Sequence, residues 1–107
     1  MLKIYLALPY TGKEEESFVI ANKIAAKLMN EGHLVFSPIS HSHPIATQCS
    51  IPGDWNFWKA FDESFISWCD QVMIIPLIGW QESKGVTAEI AIAKAMNKPV
   101  SFISLEE

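Results

Sequence analysis

The chain is poor in the features that would commit it to several common functions. It has two cysteines, Cys49 and Cys69, which form neither a CxxC pair nor a dense disulfide framework. A reducing, cytoplasmic setting is the simplest expectation. Basic residues are few and scattered, 8 against 12 acidic ones, for a net charge of -4. Binding to a nucleic-acid backbone needs a concentrated positive surface, so no nucleic-acid partner is expected. The start, Met1-Leu2-Lys3-Ile4-Tyr5, gives a strand pattern and lacks the cationic start and long apolar run of a signal peptide. No run reaches membrane-spanning length, so no membrane partner is expected. The GxGxxG, GxxxxGK[ST] and GxSxG motifs are all missing, which removes the main support for dinucleotide, P-loop and serine-hydrolase readings.

What is present is an apolar chain of 107 residues, 50% hydrophobic, with room for one domain spanning residues 1–107 and one core. Aromatic residues are dense, with 4 Trp and 6 Phe, many of them between Trp55 and Trp80. Such residues fill a core, wall a pocket or form an interface, and a homo-oligomer is expected from them.

Lys3 to Leu8 reads as a strand ended by Pro9. Thr11 and Glu14 have capping-box spacing, and residues from about Glu14 to Glu31 read as a helix stopped by Gly32. Leu34-Val35-Phe36 reads as a second strand closed by Pro38. Ile39 to Gly53, with two prolines and no clear period, reads as a long loop. Asp54 is placed to cap a helix running to about Cys69. Gln71 to Leu77 reads as a buried strand, Gly79 to Gly85 as a loop, Lys84 to Asn97 as a helix and Pro99 to Ser104 as the last strand. Strands alternating with helices predict an α/β fold, a flavodoxin- or Rossmann-like three-layer sandwich on a small parallel sheet. Ligands in such sheets bind beyond the carboxyl ends of the strands. Here those ends are Pro9 to Lys13, Ile39 to Asp54 and Ile78 to Gly85.

One carboxylate is out of place. Lys84, Thr87, Ala91, Lys94 and Lys98 mark the solvent stripe of the last helix, and Glu89 sits roughly 200° round from Thr87. Its helical neighbours are Gly85, Val86, Ile92 and Ala93. An inward carboxylate near a helix start, close to the ligand edge, is a candidate catalytic group; the alternative is a structural pair. Asp62 repeats the pattern among Trp58, Phe65, Ile66 and Cys69, and two inward acids suggest divided roles. Its alternative is a buried acid that caps a loop or holds a tyrosine hydroxyl.

The residues Ile4-Tyr5-Leu6-Ala7, the pair Asp62 and Asp70, and Ser83-Lys84-Gly85-Val86-Thr87-Ala88-Glu89-Ile90 together resemble the nucleoside 2-deoxyribosyltransferase superfamily, which includes deoxynucleoside-monophosphate N-glycosidases. The "HSHPI" and "GW..S.G" segments place the resemblance in a small branch of it. By that resemblance Glu89 is the nucleophile, Tyr5 orients it, Asp62 contacts the sugar or protonates the leaving base, and Ser83 binds a 5′-phosphate. The implied activity is hydrolysis or transfer at the N-glycosidic bond of a nucleoside or nucleotide, with no cofactor. One departure stands out. Phosphate-gripping members carry Ser and Arg after the first strand, where this chain has Leu8-Pro9-Tyr10-Thr11-Gly12-Lys13. Lys13 and the first helix start are the remaining anion candidates there.

Pro9, Gly85, His41, His43 and Trp80 complete the expected substrate-binding set. His41 and His43 could also be read as metal ligands with Cys49 or Asp54, but they lack a ligand framework, and no metal is expected. His33 reads as a turn residue. Trp55, Trp58 and Trp80 could stack on a base, with Trp58 as core and the others as interface being the alternative. Two other classes compete with the enzyme: a non-catalytic nucleotide-binding module on the same fold, and a structural subunit whose aromatic surface serves assembly.

Overall fold

A computed structural model of the chain describes residues 1–53 and 55–104, with Trp55 described through its backbone. Its elements are β1 (Lys3–Ala7), α1 (Glu14–Asn30), β2 (Leu34–Phe36), α2 (Pro38–Gln48), α3 (Trp55–Trp68), β3 (Gln71–Ile74), a 3₁₀ turn (Trp80–Glu82), α4 (Lys84–Ala95) and β4 (Val100–Phe102). The four strands are parallel in the order β2-β1-β3-β4. The expected α/β three-layer sandwich is therefore the observed fold.

Period-two alternation along β1 divides the core into two layers. Ile4, Leu6 and Leu8 pack with Ala21, Ala25 and Leu28 of α1. Tyr5 and Ala7 face the opposite way and share a cluster with Ile66 of α3 and with Val86 and Ala93 of α4. Tyr5 is fully buried. This parity points its ring towards the two helices that carry Asp62 and Glu89. Slipping β1 by one residue would turn it towards α1 instead.

Chain order reverses between β1 and β3, whose neighbours lie on opposite sides. Open parallel sheets form a crevice at such a point, beyond the strand carboxyl ends. The loops after Ala7 and Ile74 leave from there.

Several expected details are corrected. Ile39 to Gly53 is not one loop, because Pro38 opens the 11-residue helix α2. Proline fits a first helical turn, where its missing N–H has no intrahelical partner. The Ser37 side chain caps this helix by accepting from the Ser40 N–H. Pro44 lies inside the helix. Two prolines and an absent hydrophobic stripe hid this helix from the periodicity argument. The Thr11–Glu14 capping box does not form: Lys13 is the N-cap of α1, with no side-chain cap, and Glu14 accepts from the Gly12 N–H at 2.9 Å. Strand β3 ends at Ile74, although the Ile75 N–H still donates to the Ala7 carbonyl at 2.8 Å. Helix α4 stops at Ala95, followed by Asn97 in the left-handed region at φ 59. Gly32, at φ 99, ends α1 as expected, since a side chain is disfavoured there. The expected cap Asp54 and the side chain of Trp55 lie outside the described residues.

Candidate active site

A cavity of about 1030 Å³ opens at the crevice. Its walls are Leu6 and Ala7 at the end of β1, Leu8 to Thr11 and Lys13 after it, residues of α2 including Ser42 and His43, the Ile51 to Gly53 stretch, and Ile78, Gly79 and Glu82 to Gly85 after β3. Trp58, Asp62 and Glu89 complete the lining. Its volume is at the upper end of small-molecule sites, ample for a nucleotide.

Asp62 and Glu89 line this cavity, and both reach the hydroxyl of Tyr5, which is fully buried and is not itself part of the lining. The Tyr5 hydroxyl oxygen lies 2.6 Å from Glu89 Oε2 and 3.0 Å from Asp62 Oδ1. A phenol carries one proton, so it can donate to only one carboxylate. A second hydrogen bond requires the other carboxyl to be protonated and to donate to the phenolic oxygen. The three groups are therefore satisfied when the two acids share one proton. With none, two carboxylates would face one hydroxyl, and one would be unpaired.

The local field agrees. Burial raises both carboxyls, Glu89 from 4.5 to about 8 and Asp62 from 3.8 to about 6, with the Asp62 charge raising Glu89 further. The Tyr5 bond opposes these shifts without cancelling them. Burial, then the charges of Glu89 and Asp62, hold Tyr5 well above the usual phenol range, so it stays an O–H. Desolvation favours the shared proton on Glu89. The 2.6 Å bond has the length of an O–H···O⁻ contact and favours Glu89 as the anion, with the proton on Asp62. Both arrangements use the same three oxygens, and the Tyr5 hydroxyl lies between them.

The α4 start is built by Ser83, whose Oγ accepts from the Val86 N–H at 3.2 Å as N-cap. Ser83 also lines the cavity, as do Pro9, His43 and Gly85. Not every expected residue is brought there. His41 is exposed on α2, against the rings of Phe36 and Phe61 at 5.9 Å, and is not part of the lining. Trp80 turns away, onto Phe102 at 5.0 Å and the Tyr5 side of the core. Trp58 lines the cavity, with its indole N–H donating to the Pro52 carbonyl at 2.9 Å.

Two residues escaped the sequence argument. Tyr10 lines the cavity and bonds His43. Lys13 was considered only as an anion ligand, yet its ammonium donates to the Ile78 carbonyl at 2.7 Å and ties the two loops together. The signal for Tyr10 was a lone polar aromatic residue directly after the strand-ending proline. No group of three or more His, Cys, Asp or Glu side chains arranged to hold a metal occurs among the described residues. Cys49 is exposed and Cys69 buried, and both are free thiols.

The structure of the Clostridium botulinum CMP N-glycosidase BcmB is similar to this chain, with a TM-score of 0.61 and 22% identity over 94% of this chain and 69% of that one. The likeness is one of fold, and it is the fold expected from the resemblance in sequence. No curated protein matches the sequence. A family profile, described as a domain of unknown function, DUF1937, matches residues 2–105. The chain thus belongs to the DUF1937 family, built on the same α/β fold as a nucleotide N-glycosidase.

Proposed function

We propose that the chain cleaves the N-glycosidic bond of a nucleoside or nucleoside 5′-monophosphate, with Glu89 as nucleophile. The observation that carries this reading is the bonding of Glu89 and Asp62 to one buried tyrosine hydroxyl at the wall of a nucleotide-sized cavity. The fold shared with BcmB, a CMP N-glycosidase by its title, supports the same class of reaction.

In the monoanionic state the Glu89 carboxylate attacks the anomeric carbon. The C–N bond breaks, and its electron pair passes to the base nitrogen, which takes the Asp62 proton. The sugar is then held as an ester of Glu89. Water attacks the same carbon and gives its proton to Asp62, and the Glu89 carboxylate leaves. Free base, free sugar and the starting protonation state result. A second base in place of water gives transfer. Both acids work from one proton, so neither the fully protonated nor the fully ionised pair is competent. Tyr5 holds Glu89 and stabilises its charge without contributing a proton overall.

Ser83 and the α4 start, with Gly85, form the part of the wall suited to a 5′-phosphate. Pro9 lines the cavity just after β1 and is assigned to the sugar. His43 and Tyr10 form the remaining polar wall.

The test is release of free base from a panel of nucleosides and 5′-monophosphates. Glu89→Gln abolishes release while the protein stays folded, and Tyr5→Phe slows it by roughly 10- to 100-fold. Near-normal turnover in Glu89→Gln would dismiss the nucleophile, and an undiminished rate in Tyr5→Phe would dismiss the orienting role. Saturable binding with no release by the wild type would leave a binding module.

A further inference from the structure

A second polar cluster lines the cavity, where the β1–α1 loop meets α2. His43 is buried, 5% exposed. Its Nε2 lies 2.8 Å from Glu15 Oε2 and its Nδ1 lies 2.7 Å from the Tyr10 hydroxyl oxygen. The Phe18 ring lies against the imidazole, with centroids 4.6 Å apart. The ring is therefore held on three sides.

The direction of these bonds follows from what each group can give. An ionised carboxylate only accepts, so Glu15 takes the Nε2–H. The direction holds at a pH where the imidazole is neutral: the other nitrogen then has a bare lone pair and Nδ1 accepts, whereas a protonated ring would donate from both nitrogens and leave the Tyr10 proton free. With the ring neutral, Tyr10 must supply the proton of that bond. Burial and the charges of Glu14 and Glu15 raise the Tyr10 hydroxyl, so it remains an O–H. With its proton committed to His43, the oxygen offers only lone pairs, and it has no second partner among the described residues.

A wall of this polarity selects its ligand. A phosphate also only accepts, so it has no bond to make with Tyr10, and the Glu15 charge stands behind His43. The anomeric carbon must sit against Glu89 for the reaction proposed above. With the sugar fixed there and the phosphate disfavoured at Tyr10, the base remains. We infer that Tyr10 is a specificity residue that accepts a hydrogen bond from an exocyclic amino group of the nucleobase, its direction set by Glu15 through His43. The inference rests on the nucleotide reading of this cavity. It assigns the site to amino-bearing bases over their oxo counterparts: cytosine over uracil, and adenine over hypoxanthine. At that position an oxo group would place two acceptors face to face; the oxo bases carry their donor one ring atom away, at N3–H of uracil or N1–H of hypoxanthine, where it reaches Tyr10 only if the base shifts from the placement that suits the amino group.

The test is calorimetric binding of CMP, UMP, AMP and IMP to the Glu89→Gln protein, which does not consume them. Each amino nucleotide binds about tenfold or more tightly than its oxo partner. Adding Tyr10→Phe brings each ratio to within about twofold. Adding Glu15→Gln, at an exposed position that leaves the core untouched, also lowers the ratio. The amide can either accept from or donate to Nε2, so the direction of the two bonds is no longer fixed and the Tyr10 proton is free to turn towards the ligand. Equal binding within each pair, a ratio unchanged in Tyr10→Phe, or no binding of any of the four would overturn the assignment. Base release by the wild type separates the two proposals. Discriminated binding without release refutes the glycosidase and keeps Tyr10, while release without an amino preference does the reverse.

Discussion

Replacing Glu89 by glutamine tests the electrostatics of the site independently of catalysis. Burial and the Asp62 charge push the Glu89 carboxyl from 4.5 to about 8, so the folded chain holds a proton that the unfolded chain releases near 4.5. Over that window the folded state binds more protons than the unfolded one. Stability must then fall as pH rises, and the loss is complete above the folded value. At about 1.4 kcal/mol for each tenfold change in proton affinity, the whole displacement would correspond to roughly 5 kcal/mol if Glu89 acted alone. Two features of the site reduce this. Asp62 competes for the same proton, and the cavity lets water reach one side of the carboxyl. A cost of about 1–3 kcal/mol by pH 8.5 is expected, or roughly 5–15 °C in Tm for a chain of this size. Glutamine keeps the shape and cannot ionise, so Glu89→Gln should lose that part of the pH dependence and gain on the wild type as pH rises from 5 to 8.5. Thermal unfolding of both proteins across this range is the assay, and the difference between the curves cancels the titrating groups remote from the pair, leaving Glu89 together with its effect on Asp62. Parallel curves would refute the buried, proton-sharing pair.

Two further expectations concern the rest of the molecule. Ser83→Ala removes the N-cap of α4 and should cost about 1 kcal/mol of stability. If Ser83 also meets a 5′-phosphate, the same variant raises KM for monophosphates and leaves nucleosides unchanged; equal effects on both would confine Ser83 to the capping role. Phe57 and Phe102 are exposed, and the homo-oligomer expected from the aromatic content is tested directly. Sedimentation should show a species larger than 12.0 kDa, and a fully active monomer would remove that proposal.

What could be read in the sequence depended on how directly a residue's neighbours follow from its number. Glu89 and Asp62 were legible because helical period alone places them among apolar residues, where an acid is costly unless it is paired or protonated. Tyr5 was reached through the family resemblance, and the alternation along β1 explains its position afterwards. Helix α2 was lost because Pro38 and Pro44 read as breakers, although a proline in a first turn is compatible with a helix. That error carried through to the histidines. In a loop His41 and His43 are equivalent, whereas two helical positions point about 200° apart, one outward and one into the packing of α1. Trp80 failed for a related reason. Its place beside the Ser83 loop gave proximity in sequence, but the 3₁₀ turn over Trp80–Glu82 rotates the indole onto Phe102.

The chain also lacks an arginine altogether, a point that bears on the whole site and not only on the loop after β1. Arginine suits a phosphate through a two-pronged, permanently charged contact, and without one an anion at this cavity must rely on backbone N–H groups, Ser83 and lysine. Lys13 already gives one N–H to Ile78, which leaves two of its three donors. The cavity is thus weakly equipped for a phosphate, while its wall at Tyr10 is formed by three linked side chains, Tyr10, His43 and Glu15. If Tyr10 meets the base as inferred above, discrimination comes mainly from the base, and loss of the 5′-phosphate is tolerated better than loss of the amino group.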